Sequence, residues 1–153
     1  MKIALDTNVV LDVLLARAEF VEAAQAVMYE IESGKSQGVI CATTLTTIHY
    51  LCTKAAGARA ARRNIELLLR LFEIAPVNRN VLELAVASKQ HDFEDAVLAH
   101  SVTLANASVL ITRNPKDFVT APLPIVTPTE WLAQECRAAR SAHQATLMPR
   151  STS

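Results

Sequence analysis

At 153 residues the chain is sized for one compact domain, and 51% apolar with 20% charged residues excludes a chain that is disordered throughout. Lys plus Arg and Asp plus Glu balance at 15 each, so no global positive field draws the protein onto nucleic acid and any such contact has to be local. With 5% aromatic residues the core is aliphatic, and stacking platforms for single strands are not expected.

The first predicted element is a short buried strand over residues 3–5, closed by Asp6-Thr7-Asn8, where an acid leaves the strand for a helix start. Leu11, Leu14, Leu15, Phe20, Ala23, Ala24, Val27, Met28 and Ile31 then hold one apolar face at helical spacing, which predicts a helix ended by Ser33-Gly34. Residues 38–42 read as a second strand, and Thr43 and Thr44 offer hydroxyls to cap a helix carrying Leu45, Ile48 and Cys52. Gly57 separates it from a helix marked by Ala61, Ile65, Leu68 and Phe72, after which residues 74–77 form a short strand.

Helices over residues 81–88 and 92–107 lead to a strand at 109–112, and Pro115 forces a turn behind it. Ile125-Val126 adds an edge strand, Pro128 suits a helix start, and residues 130–139 close the fold. The domain thus spans residues 1–140, with 141–153 read as a disordered tail. Strands alternating with helices predict a mainly parallel sheet between two helical layers, an α/β/α sandwich. Ligands in such sheets bind beyond the carboxyl ends of the strands.

Cys41, Cys52 and Cys136 are odd in number and form no C-x-x-C pair, so neither a disulfide framework nor a zinc site is expected. The chain start reads straight into the fold without a leader, and no apolar run nears the roughly 20 residues that cross a bilayer. The expectation is a cytoplasmic protein with no membrane partner.

The chemistry-bearing residues gather at predicted strand and helix ends. Asp6 closes the first strand, Asp92, Glu94 and Asp95 open a helix, and Asn114 and Asp117 follow a later strand, so the fold is expected to bring an acidic cluster together. Carboxylates in one crevice repel unless a hard cation compensates, and Mg²⁺ takes oxygen ligands while keeping waters for substrate phosphate. Each residue also has an ordinary role open to it. Asp92 and Asp95, three apart, fit a helix cap and its reciprocal partner; Thr7 and Asn8 fit helix caps; Asn114 and Asp117 fit a turn. Of the four histidines, His49, His91, His100 and His143, no two stand at a metal-ligand spacing. Lys54, Arg59, Arg62 and Arg63 crowd the turn between two helices, where they serve either as a solvated face or as an RNA backbone contact.

The run from Ile3 to Asp12, Ile-Ala-Leu-Asp-Thr-Asn-Val-Val-Leu-Asp, resembles the opening signature of PIN-domain nucleases. Residues 92–99, Asp-Phe-Glu-Asp-Ala-Val-Leu-Ala, resemble the third acidic motif of that family, and residues 110–118, Leu-Ile-Thr-Arg-Asn-Pro-Lys-Asp-Phe, resemble its last. The three lie in the family's order, from Lys2 to about Trp131. The resemblance implies that Asp6 and Asp95 hold Mg²⁺ or Mn²⁺, that Asn114 occupies the fourth acidic position, and that Thr7, Asn8, Asp92 and Asp117 support the site. The family's second acid, a Glu in the helix after the second strand, is replaced here by Thr47. The implied activity is endoribonuclease cleavage of RNA by a metal-activated water, with a homodimer and an inhibiting antitoxin as partners. The alternative is a PIN-like protein that has lost catalysis and acts by binding RNA or protein.

Overall fold

The computed structural model describes residues 1–147. Its elements run β1 (Lys2–Leu5), α1 (Thr7–Leu14), α2 (Val21–Glu32), β2 (Gln37–Cys41), α3 (Ala42–Ala56), α4 (Ala58–Leu71), β3 (Phe72–Ala75), α5 (Arg79–Ala87), α6 (Phe93–Leu104), β4 (Val109–Ile111), a 3-10 turn (Pro115–Phe118), β5 (Ile125–Val126) and α7 (Pro128–Leu147). The five strands pair parallel in the order β3-β2-β1-β4-β5. This is the three-layer α/β/α sandwich expected from the alternation of strands and helices.

Successive strand residues point to opposite faces, and the two cores follow that alternation. Ile3, Leu5, Ile40, Val109 and Ile111 face α1, α2, α3, α4 and α7 in the larger core, where Val10, Val27, Ile48, Leu68 and Trp131 meet them. Ala4, Val39, Cys41 and Leu110 face α5 and α6, packing on Val81, Ala85, Val97 and Val102. Buried on both sides, the strands read as continuous apolar runs. Gly38 in β2 is required by packing: a Cβ there would stand 2.7 Å from the Phe72 ring.

The structure corrects several sequence expectations. The apolar face from Leu11 to Ile31 belongs to two helices, because Ala16 adopts φ 48° and turns the chain between α1 and α2. Neither Thr43 nor Thr44 caps α3, which begins at Ala42 directly after β2. Thr44 is buried instead and accepts a hydrogen bond from the Thr7 hydroxyl at 3.4 Å, tying the starts of α1 and α3 together. Residues 141–147, read as tail, continue α7 to Leu147, and residues 148–153 lie outside the described residues. Ala142, Gln144, Ala145 and Leu147 are good helix formers and sustain the helix there. Among the described residues no helix is long and apolar enough to cross a membrane.

The strand order reverses at β1 and β4, since β1 leads by crossover to β2 on one side while β4 enters on the other. The crevice beyond their carboxyl ends is where this architecture places a ligand. α1 starts there from β1. α6, which runs back to the start of β4, also presents its N-terminus at that end.

Candidate metal centre

Asp6 leaves β1 with extended backbone geometry and serves as N-cap of α1, its Oδ1 accepting from the Thr7 N–H at 2.7 Å. Its Oδ2 accepts from the Thr112 hydroxyl at 2.8 Å, a bond buried from solvent. The β1–β4 register, Leu5 opposite Ile111, sets Thr112 next to Asp6. The acid expected to serve a site is thus both cap and cleft residue, and Thr112 is the partner that sequence reading missed.

Four more acids reach the same cleft. Asp6, Thr7, Asn8, Thr47, Asp92, Glu94, Asp95 and Asp117 line a hollow of about 300 Å³ floored by Leu51 and Phe118. Asp92 caps α6, its Oδ1 accepting from the Asp95 N–H at 3.1 Å, so half of the expected reciprocal capping pair is formed. Thr47 of α3 faces the cleft and donates its hydroxyl to Glu94 Oε1 at 3.1 Å. Where the family pattern calls for a Glu on α3, a hydroxyl therefore stands against a Glu supplied by α6.

Asn114 departs from expectation. Its backbone N–H donates to Thr112 Oγ1 at 3.1 Å, and its side chain lines an adjoining depression with Arg113, Pro115, Lys116 and Asp117 rather than the acidic cleft. Pro115 opens the 3-10 turn directly after it, and that turn carries Asp117 into the cleft instead.

Arg113 fixes the same segment from behind. Its Nε lies 2.8 Å from Oδ2 of the buried Asp12, and its guanidinium stacks 4.0 Å from the Phe20 ring centroid. Both atoms lack a hydrogen-bond partner despite that distance, so the N–H is not aimed at the oxygen and the contact is an ion pair only. Arg17 adds a second cation 3.4 Å from Asp12 Oδ1. Burial raises the Asp12 pKa, and the two arginines oppose that rise.

The acids of the cleft repel one another. Asp95 is pushed up to about 7, first by burial and then by the charges of Asp6, Asp92, Asp117 and Glu94. Asp6 is also raised, by burial first, with the Thr112 and Thr7 bonds and Arg113 opposing and Asp117 adding repulsion. An all-oxygen donor set this rich in negative charge fits a hard divalent cation such as Mg²⁺ or Mn²⁺. Among the described residues no group of three or more His, Cys, Asp or Glu side chains closes on one point.

This repulsion predicts a pH dependence. Asp95 ionises near 3.8 when unfolded and near 7 when folded, so folding favours the protonated form. Its contribution to stability is complete below the lower value and is lost as pH rises through the upper one. In chelator, the melting temperature of the parent should fall between pH 5 and 8, and Asp95→Asn should flatten that fall. Identical pH profiles for parent and variant would refute the repulsion.

Lys54, Arg59, Arg62 and Arg63 sit at the far end of α3 and on α4, exposed and outside the cleft lining. Nine residues separate Thr47 from the end of α3, about 14 Å along a helix. Lys54 is also engaged, 4.6 Å above the Tyr50 ring.

Among solved structures, the chain resembles VapBC2 from Rickettsia felis bound to a DNA fragment from their promoter, at 16% identity and TM-score 0.65 over 83% of this chain and 98% of that one. A toxin–antitoxin complex from Klebsiella pneumoniae aligns at 26% identity and TM-score 0.62, over 82% and 96%. Mycobacterium tuberculosis VapC20, described as a sarcin-ricin loop cleaving toxin, aligns at 16% identity and TM-score 0.57, over 71% and 86%. No curated protein sequence matches. The PIN domain family model matches residues 2–116, a span that runs from β1 into the 3-10 turn and includes every acid of the cleft except Asp117. By that match the chain belongs to the PIN domain family.

Proposed function

We propose that this PIN-domain protein is a Mg²⁺- or Mn²⁺-dependent endoribonuclease that acts as the toxin of a toxin–antitoxin pair. The observation that carries the reading is the convergence of carboxylates from β1, α6 and the 3-10 turn on one cleft, with Asp95 driven up to about 7 by burial and its neighbours. The resemblance to toxin–antitoxin complexes supports an antitoxin partner, and the relative described as cleaving the sarcin-ricin loop supports RNA as substrate. The reading includes a homodimer, which the family resemblance implies.

Asp6 and Asp95 would hold the ion, with Glu94, Asp92 and Asp117 adding negative charge around it. Bound there, the divalent ion supplies a water of lowered pKa for in-line attack on phosphorus and neutralises developing charge. The chain's own part is positioning. Thr7 N–H and the Thr112 hydroxyl fix both oxygens of Asp6 in one rotamer, leaving remaining lone pairs toward the cleft. The half-buried Asp95 presents its carboxylate without a capping duty, since Asp92 carries that bond. Asn114, outside the cleft, is assigned a substrate contact and no ligand role.

The rival reading, a PIN-like protein acting by binding alone, is favoured by one feature, the Thr at position 47. Mn²⁺ titration separates the two. A nuclease site should gain stability with Mn²⁺, about 2.7 kcal/mol at a hundredfold excess over the dissociation constant, and Asp6→Asn should lose most of that gain. A parent whose melting temperature ignores Mn²⁺ has no such site.

A further inference from the structure

The acidic cleft raises a problem for a nuclease, because RNA phosphates must approach five carboxylates, Asp6, Asp92, Glu94, Asp95 and Asp117. Opening directly off it is a second hollow of about 440 Å³, lined by Lys89, Gln90, His91, Lys116, Val119 and Thr120 together with the shared acids Asp92, Asp95 and Asp117. We propose that this groove is the track for the RNA backbone beside the point of cleavage, with Lys89 and Lys116 holding phosphates on either wall. This rests on the nuclease reading and locates its substrate.

Two observations support it. Lys89 and Lys116 are exposed, and among the described residues neither enters an ion pair, although Asp92 and Asp117 are near in sequence. Their charge is therefore available to an incoming anion. The walls are fixed to each other, because the Thr120 hydroxyl donates to Gln90 Oε1 at 3.0 Å and joins the segment before α6 to the one after the 3-10 turn. The cationic cluster at Lys54, Arg59, Arg62 and Arg63 shares none of this: it lines neither the groove nor the cleft.

Lysine contacts to phosphate are sequence-independent and salt-sensitive, with log affinity for single strands changing by about 0.7 per contact for each decade of salt. Binding of a fluorescein-labelled single-stranded RNA in chelator, where nothing is cut, tests the track. The double variant Lys89→Ala with Lys116→Ala should bind roughly tenfold more weakly at low salt and show a salt slope smaller by about 1.4. Removing charge at Lys54, Arg59, Arg62 and Arg63 together should cost less. Mn²⁺ should stabilise the double variant as it does the parent, which shows the cleft intact. A double variant with the parent's affinity and slope overturns the track, as does a larger loss from the four-residue variant. Its failure is distinct from failure of the nuclease reading, which shows as RNA bound by the parent but not cut in Mn²⁺.

Discussion

Asp6→Asn and Asp95→Asn should each slow Mn²⁺-dependent RNA cleavage by more than roughly 100-fold, beyond the 10–100-fold that changes in supporting residues cost. The fold should survive both. At Asp95 the substitution removes a charge that burial and four neighbouring acids already disfavour, so the variant should be more stable than the parent in chelator at neutral pH. At Asp6 the Asn oxygen can still accept from Thr7 N–H, and the Thr112 hydroxyl can turn to accept from the new amide, so stability should change little. Melting curves and cleavage of a labelled RNA, measured on the same preparations, separate loss of the site from loss of the fold. Either variant cutting at the parent rate removes that residue from the centre.

The second large effect concerns Thr47 and Glu94. The Thr47 hydroxyl donates to Glu94 Oε1, and on the proposed reading α6 thereby supplies across the cleft the charge absent from α3. Glu94→Gln should therefore weaken Mn²⁺ binding by roughly 10–100-fold. Thr47→Glu alone should set two carboxylates against each other, lowering stability in chelator and tightening Mn²⁺ binding, with recovery once metal is added. Combining Thr47→Glu with Glu94→Gln moves the charge back to α3 and should restore most of the lost affinity. Calorimetric Mn²⁺ titration of all three variants is the measurement. Unchanged affinity in Glu94→Gln would mean that Glu94 serves the fold of α6 and not the ion.

The strands and the first acid were legible because their signals are local. An apolar run ending in Asp6 reads as a buried strand delivering an acid, and the helix over 92–107 announced itself through Asp92 as its cap. What stayed hidden depends on residues distant in sequence or on backbone geometry. The break between α1 and α2 was masked by apolar spacing that continues across it, and only the left-handed Ala16 reveals it. Thr112 meets Asp6 across 106 residues, and Thr47 meets Glu94 across 47, so neither contact has a spacing to read. Register could have found the first: once β1 and β4 are paired, the residue after Ile111 must lie beside the residue after Leu5. Asn114 and Asp117 flank the turn that Pro115 starts, so they line neighbouring hollows, a separation that motif position does not encode.

Reversal by chelator tests whether divalent metal held by this cleft cuts RNA. A single-stranded RNA incubated with the purified protein should be cleaved in Mn²⁺, left intact when chelator is in excess, and cleaved again when Mn²⁺ is restored above the chelator. Cleavage that persists in excess chelator, or RNA that remains whole in Mn²⁺ while bound, would contradict it.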